Sequence, residues 1–191
     1  MIKSKPRMLL SKSTEKSGAL HETDEVAVEM LYACHDRVER QCETLVRLAQ
    51  HLVINGSDEA AQQASHSVLR YFNQAAPNHH ADEERDVFPA LLNAAAVKGI
   101  PDIAPVIERL LADHRELEQL WVGLSKELEE IAEGMPRQLH IERLNRFVKC
   151  YREHIEIENQ VLFPKINELL ADDQVASIGL SMRQRRGIDL P

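Results

Sequence analysis

The chain has 191 residues, 43% of them apolar and 28% charged, which is enough for one domain with a sizeable core. Only seven Gly and eight Pro, against abundant Ala, Leu, Glu and Arg, favour helix over sheet, and the formal charge of −8 argues against a nucleic-acid-binding face. No apolar run is long enough to span a bilayer, and three cysteines without a C-x-x-C suggest neither a disulfide framework nor a zinc knuckle, so a cytoplasmic chain with reduced thiols and no membrane or nucleic-acid partner is expected.

Residues 1–22 carry five basic and two acidic side chains without periodicity, and read as a mobile basic arm that lacks a signal-peptide core. Helical periodicity runs from Asp24 to about Ile54, and Asn55–Ser57 ("NGS") stops it. Its stripe is Leu31, His35, Val38, Cys42, Leu45, Ala49 and Leu52, stepping by four and three, so a histidine sits in an apolar seam. A second helix starts near Ser57 and Asp58 with the stripe Ser65, Val68, Phe72, Ala75/Ala76, His79 and Glu83. Pro77 is expected to kink it or open a new segment, and Phe88-Pro89 to break it again before an Ala-rich piece ending at Gly99.

A third helix starts after Pro101 or Pro105 and reaches about Glu133, with the stripe Leu110, His114, Leu117, Trp121, Leu124, Leu128 and Ile131. A fourth runs from about Gln138 to Phe163 with Leu144, Phe147, Tyr151, His154, Glu158 and Val161. Residues 23–171 are therefore expected to be an all-α, antiparallel up-down-up-down four-helix bundle. Residues 172–191 read as a short helical extension followed by a solvated tail, "RQRRGIDLP".

The two halves repeat. Shifted by 75 positions, "HHADEERDVFP" from His79 lies over "HIEIENQVLFP" from His154; shifted by 79, Leu31, His35, Val38 and Leu45 lie over Leu110, His114, Leu117 and Leu124. Each helix then carries H-x-x-x-E: His35/Glu39, His79/Glu83, His114/Glu118 and His154/Glu158. Residues four apart stack on one helical face. Four such pairs aimed at one core put imidazole nitrogens and carboxylate oxygens at neighbouring heights; imidazole suits iron, zinc or copper, and carboxylates can bridge two hard cations. His80 and Glu84 form a parallel pair one step round the helix, and the "FP" frame selects His79 and Glu83 as the inward ones. A lone histidine on such a stripe is ordinarily a hydrogen-bonded core residue; four in register carry the metal reading.

At these residues the sequence resembles the hemerythrin family, specifically its bacterial HHE cation-binding members, over about 24–171, through "HHADEERDVFPAL" and "HIEIENQVLFP" with support from "DHRELEQLW" and "CHDRVERQ". The resemblance implies a four-helix bundle holding two iron ions, oxo- or hydroxo-bridged, open to a small molecule (O2, H2O2 or NO). It implies His35, His79, His114 and His154 as terminal ligands, with Glu83 and Glu158 as bridges. Oxygen carriers of the family place a second histidine where this chain has Glu118, and an aspartate five after the last histidine where this chain has Glu158 at four. Glu39 and Glu118 are then either further ligands or hydrogen-bond acceptors. The extra carboxylate weighs toward reaction with peroxide, nitric oxide or oxygen over reversible carriage; the alternatives to a protein that binds such a molecule are a peroxide- or NO-decomposing enzyme and an iron or oxygen sensor signalling through its tails. Tyr32 and Tyr151 share the ligand faces, as hydrogen-bond donors to a bound species or as core aromatics; Phe72 and Trp121 read as core walls, and Cys42 and Cys150 as buried thiols.

Overall fold

A computed structural model describes residues 18–188, with side chains from Ala27 onward, and every regular element among them is helical. α1 spans Gly18–Asn55 and stops at Gly56, whose φ of 67° needs no Cβ to be accommodated. α2 (Glu59–Arg70) is capped by Asp58, which accepts from the Ala61 amide at 2.9 Å. α3 (Ala76–Asp82) and α4 (Phe88–Lys98) continue the same rod. α5 spans Ile103–Ala132, α6 Ile141–Ile157, α7 Phe163–Leu169 and α8 Asp172–Arg185.

New α segments open at Pro77, Pro89 and Pro164, as the prolines suggest, but the rods stay helical through them. Three π turns, Tyr71–Ala75, Glu83–Val87 and Glu158–Leu162, join α2 to α3, α3 to α4 and α6 to α7 without leaving helical dihedrals. In each, the residue before the proline (Ala76, Phe88 or Phe163) donates to the carbonyl five back, on Tyr71, Glu83 or Glu158. A proline lacks the amide for the normal ladder, and its ring strikes the carbonyl four residues earlier; a turn widened by one residue absorbs both. The extra residue also shifts the buried face. Val161, expected in the seam, is 46% exposed, and Leu162 is buried in its place.

α1 packs along α2, α6 and α8, α5 packs along α2 and α6, and α8 also touches α3. Two apolar cores result. One gathers Val38, Leu45, Phe72, Leu117, Leu124 and Phe147; the other gathers Leu31, Phe88, Leu91, Leu110, Phe163 and Ile166. Val175, Ile178 and Met182 of α8 belong to the second core, so α8 is part of the packed interior. The arm expected over 1–22 lies outside the described residues as far as residue 17, and 18–22 are already helical in α1. The tail "RQRRGIDLP" is solvated only in part: Gln184, Gly187 and Ile188 are exposed, but Arg183 to Arg185 lie in α8, Arg185 pairs with Asp82 and Asp86, and Arg186 pairs with Asp82; residues 189–191 lie outside the described residues.

Leu124 has no exposed surface in the first core. Leu124→Ala is expected to lower the unfolding free energy by about 2–5 kcal/mol, measured by urea denaturation followed by circular dichroism.

Candidate metal centre

Between the two apolar cores lies one polar layer. Along α1, His35 separates Leu31 of one core from Val38 of the other; along α5, His114 separates Leu110 from Leu117. His79 and Glu83 from α3 and its π turn, with His154 and Glu158 from α6 and its π turn, complete the layer. All six side chains are 2% exposed or less.

Every histidine turns Nε2 inward. His79 Nε2 stands 3.1 Å from Glu83 Oε1, and His114 Nε2 stands 3.4 Å from Glu83 Oε2. Glu158 Oε2 lies 3.0 Å from His35 Nε2 and 3.1 Å from His154 Nε2. Two overlapping donor sets follow: His35, His79, Glu83, Glu158 and Glu83, His114, His154, Glu158, each with ligand atoms within 4.8 Å of one another. Both glutamates belong to both sets. Two donors about 2.1 Å from one ion and at right angles stand roughly 3 Å apart, which matches these separations. The donors also lack other partners. His35 Nε2 and all four oxygens of Glu83 and Glu158 are buried with no hydrogen-bond partner outside this layer, a costly state unless protons or a cation satisfy them. His114 Nε2 and His154 Nε2 approach to 3.2 Å, where two lone pairs need a proton or a cation between them.

The π turns explain the repeat. The residue after each glutamate orients a histidine on another rod: Glu84 Oε1 takes His114 Nδ1 at 2.7 Å, and Asn159 Oδ1 takes His35 Nδ1 at 2.7 Å. The phenylalanine before each proline then stacks on that same histidine, Phe88 on His114 (centroids 6.0 Å apart) and Phe163 on His35 (5.0 Å). Each repeat therefore supplies a His and Glu of its own and fixes a third donor elsewhere. Such outer hydrogen bonds fix the tautomer that leaves Nε2 free. Asp113 Oδ2 lies 3.8 Å from His154 Nδ1.

Glu39 and Glu118 are exposed and belong to neither donor set. On the unwidened α1 and α5 the seam continues through Val38 and Leu117 at i+3, which turns i+4 outward. His80, expected to face away, is 9% exposed and stacks on His114 at 4.0 Å between centroids, inclined by 12°. The π turn upstream widens the buried face to include both neighbouring histidines. Tyr151 is buried, whereas Tyr32 is 38% exposed and meets Phe163 edge-on. Phe72 is buried, and half-buried Trp121 donates to Asn73 Oδ1 at 2.9 Å. Asn159 escaped the pattern reading, although it shares the 75-residue offset with Glu84, and the pattern places His80 and Glu84 only as the pair turned away from the centre.

Without a cation the layer holds protons. Burial first, then repulsion from Glu158 and Asp82, pushes Glu83 well above the usual carboxylate range. Burial pushes Glu158 the same way, but His154 and His35 outweigh it and hold it well below that range. Burial opposes the proton on His154, yet Glu158 and Asp113 raise it to about 9. Burial, followed by neighbouring imidazoles, lowers His79 and His114.

A buried, carboxylate-bridged cluster of imidazoles in a helical protein defines a cation-binding helical domain. The profile of the Hemerythrin HHE cation binding domain matches residues 26–166. The chain belongs to this hemerythrin-like HHE family. A Haemophilus influenzae protein described only as uncharacterized is 36% identical over 161 residues, covering 84% of this chain and 90% of its own length.

Two measurements test the centre. Glu83 and His154 must each lose a proton to bind a cation, and both hold it above their ordinary values, so metal uptake releases protons and affinity rises with pH toward about 9. Chelator competition at pH 6, 7 and 8 is expected to show this rise; a flat profile contradicts it. His79→Ala and His154→Ala are expected to cut metal affinity by more than the roughly 10–100-fold controlled by outer hydrogen-bond partners, while Glu39→Gln and Glu118→Gln leave metal content unchanged.

Proposed function

We propose that the chain is a non-haem di-iron protein that binds dioxygen or a related small oxidant, peroxide or nitric oxide, at the centre of an antiparallel up-down-up-down four-helix bundle. The observation that carries this reading is the pair of donor sets sharing Glu83 and Glu158: two histidines for each ion, with two carboxylates common to both. Four rods supply the histidines, one each. Mixed imidazole and carboxylate donors suit iron. Four protein donors per ion leave coordination positions open, and bound iron supplies a Lewis acid and one-electron chemistry there.

The chain's own groups prepare that place. The two apolar cores exclude water above and below it. A cavity of about 230 Å³ beside it is lined by Phe72, Leu117, Trp121, Tyr151, His80 and Glu84 among others. His80, stacked on His114, stands between cavity and centre with Nε2 unpartnered. That free nitrogen and the buried Tyr151 beside it favour turnover of peroxide or nitric oxide as the second reading, since both can hydrogen-bond an incoming molecule. Three free, buried cysteines fit a cytoplasmic protein. No helix among the described residues is long and apolar enough to cross a membrane.

Metal analysis with optical spectroscopy of aerobically purified protein tests the reading. About two irons per chain and near-ultraviolet charge-transfer bands that shift with azide or nitric oxide are expected. A protein that takes up only one ion, or only zinc with no response to these ligands, contradicts it. Catalytic loss of peroxide beyond one equivalent per centre separates turnover from binding.

A further inference from the structure

The last helix reaches the ligand layer through two arginines. Arg185 gives Nη1 to Asp82 Oδ1 and Nη2 to Asp86 Oδ2, the second at 2.8 Å. Arg186 gives Nη2 to Asp82 Oδ2 at 2.6 Å, and the same nitrogen lies 3.9 Å from Cys34 Sγ. Asp82 has no exposed surface, and the arginine side chains are 17% and 18% exposed. Asp82 immediately precedes Glu83, and Cys34 immediately precedes His35. One cluster on α8 thus holds the chain neighbours of two donors on two different rods.

Asp82 is a third buried carboxylate beside Glu83 and Glu158, yet it belongs to neither donor set. Both of its oxygens are occupied by guanidinium groups, so it is withheld from the centre. The pairing also fixes the rotation of α3 about its axis, because Asp82 faces α8 while Glu83, the next residue, faces the layer. Guanidinium forks suit such a role because they stay charged and constrain direction, which an ammonium does not.

We infer that Asp82, Arg185 and Arg186 form a clamp through which the C-terminal helix positions Glu83 and His35 for metal binding. They are positioning residues and touch no ligand atom. The inference rests on the di-iron reading for its metal arm only; the clamp itself is also read in metal-free protein.

The test uses the full chain. Arg185→Gln/Arg186→Gln is compared with Arg185→Lys/Arg186→Lys and with Arg152→Gln, an exposed arginine on α6. Two quantities are read: the rate at which iron-loaded protein loses iron to a chelator, and amide hydrogen exchange over residues 79–87 in metal-free protein. The glutamine pair is expected to speed iron loss by about 10–100-fold and to raise exchange selectively over 79–87. The lysine pair falls between it and wild type, and Arg152→Gln matches wild type. Unchanged iron loss with unchanged exchange overturns the clamp, as does exchange that rises evenly in all helices, the sign of mere destabilisation. If the glutamine pair does not fold, the lysine pair decides by the same two readings. If wild-type protein takes up no iron, the di-iron reading fails and exchange over 79–87 alone decides the clamp.

Discussion

Four imidazoles and two carboxylates are buried in a single layer between two apolar cores, and the rest of the structure answers to that constraint. Taking carboxylates out of water costs several kcal/mol each unless charge and hydrogen bonds compensate. Protons on Glu83 and His154 are one compensation. Cations held by the two donor sets that share Glu83 and Glu158 would be a fuller one, because they would satisfy the inward Nε2 atoms and the orphaned oxygens together. The outer contacts then become intelligible: Glu84 and Asn159 leave Nε2 available, and the phenylalanines hold the rings in plane.

Much of this was legible in the chain. The seams of α1 and α5 appear directly as steps of four and three, since both helices are unwidened; every stripe residue except Ala49 and Trp121 is fully buried. The four histidines, Glu83 and Glu158 stood out because they recur at fixed offsets. Glu39 and Glu118 matched the same spacing and point outward, because i+4 on a regular helix lies round from i and only the tilt of the rod decides which side is buried. The asymmetry between His35/Glu39 and His79/Glu83 is thus a property of packing, which spacing alone does not record. The pairing of Arg185 and Arg186 with Asp82 spans more than a hundred positions and left no periodic trace.

The prolines illustrate a second limit. Read locally, Pro77, Pro89 and Pro164 end helices. In the fold each is preceded by a π turn that keeps the rod continuous, and two of these turns begin at Glu83 and Glu158 themselves. The widened turn is what lets adjacent residues face different neighbours, the glutamate toward the layer and the next residue toward a histidine on another rod. A feature that reads as punctuation is part of how the donors are aimed.

The near-symmetry of the halves breaks, among other places, at the outer nitrogen of a histidine. His114 shares its outer nitrogen with the carboxylate of Glu84, whereas His35 shares its own with the neutral amide of Asn159. A carboxylate makes its imidazole the stronger electron donor. The chain therefore encodes two electronically unequal halves from a duplicated motif, and a cation held beside His114 would meet a more basic imidazole than one held beside His35.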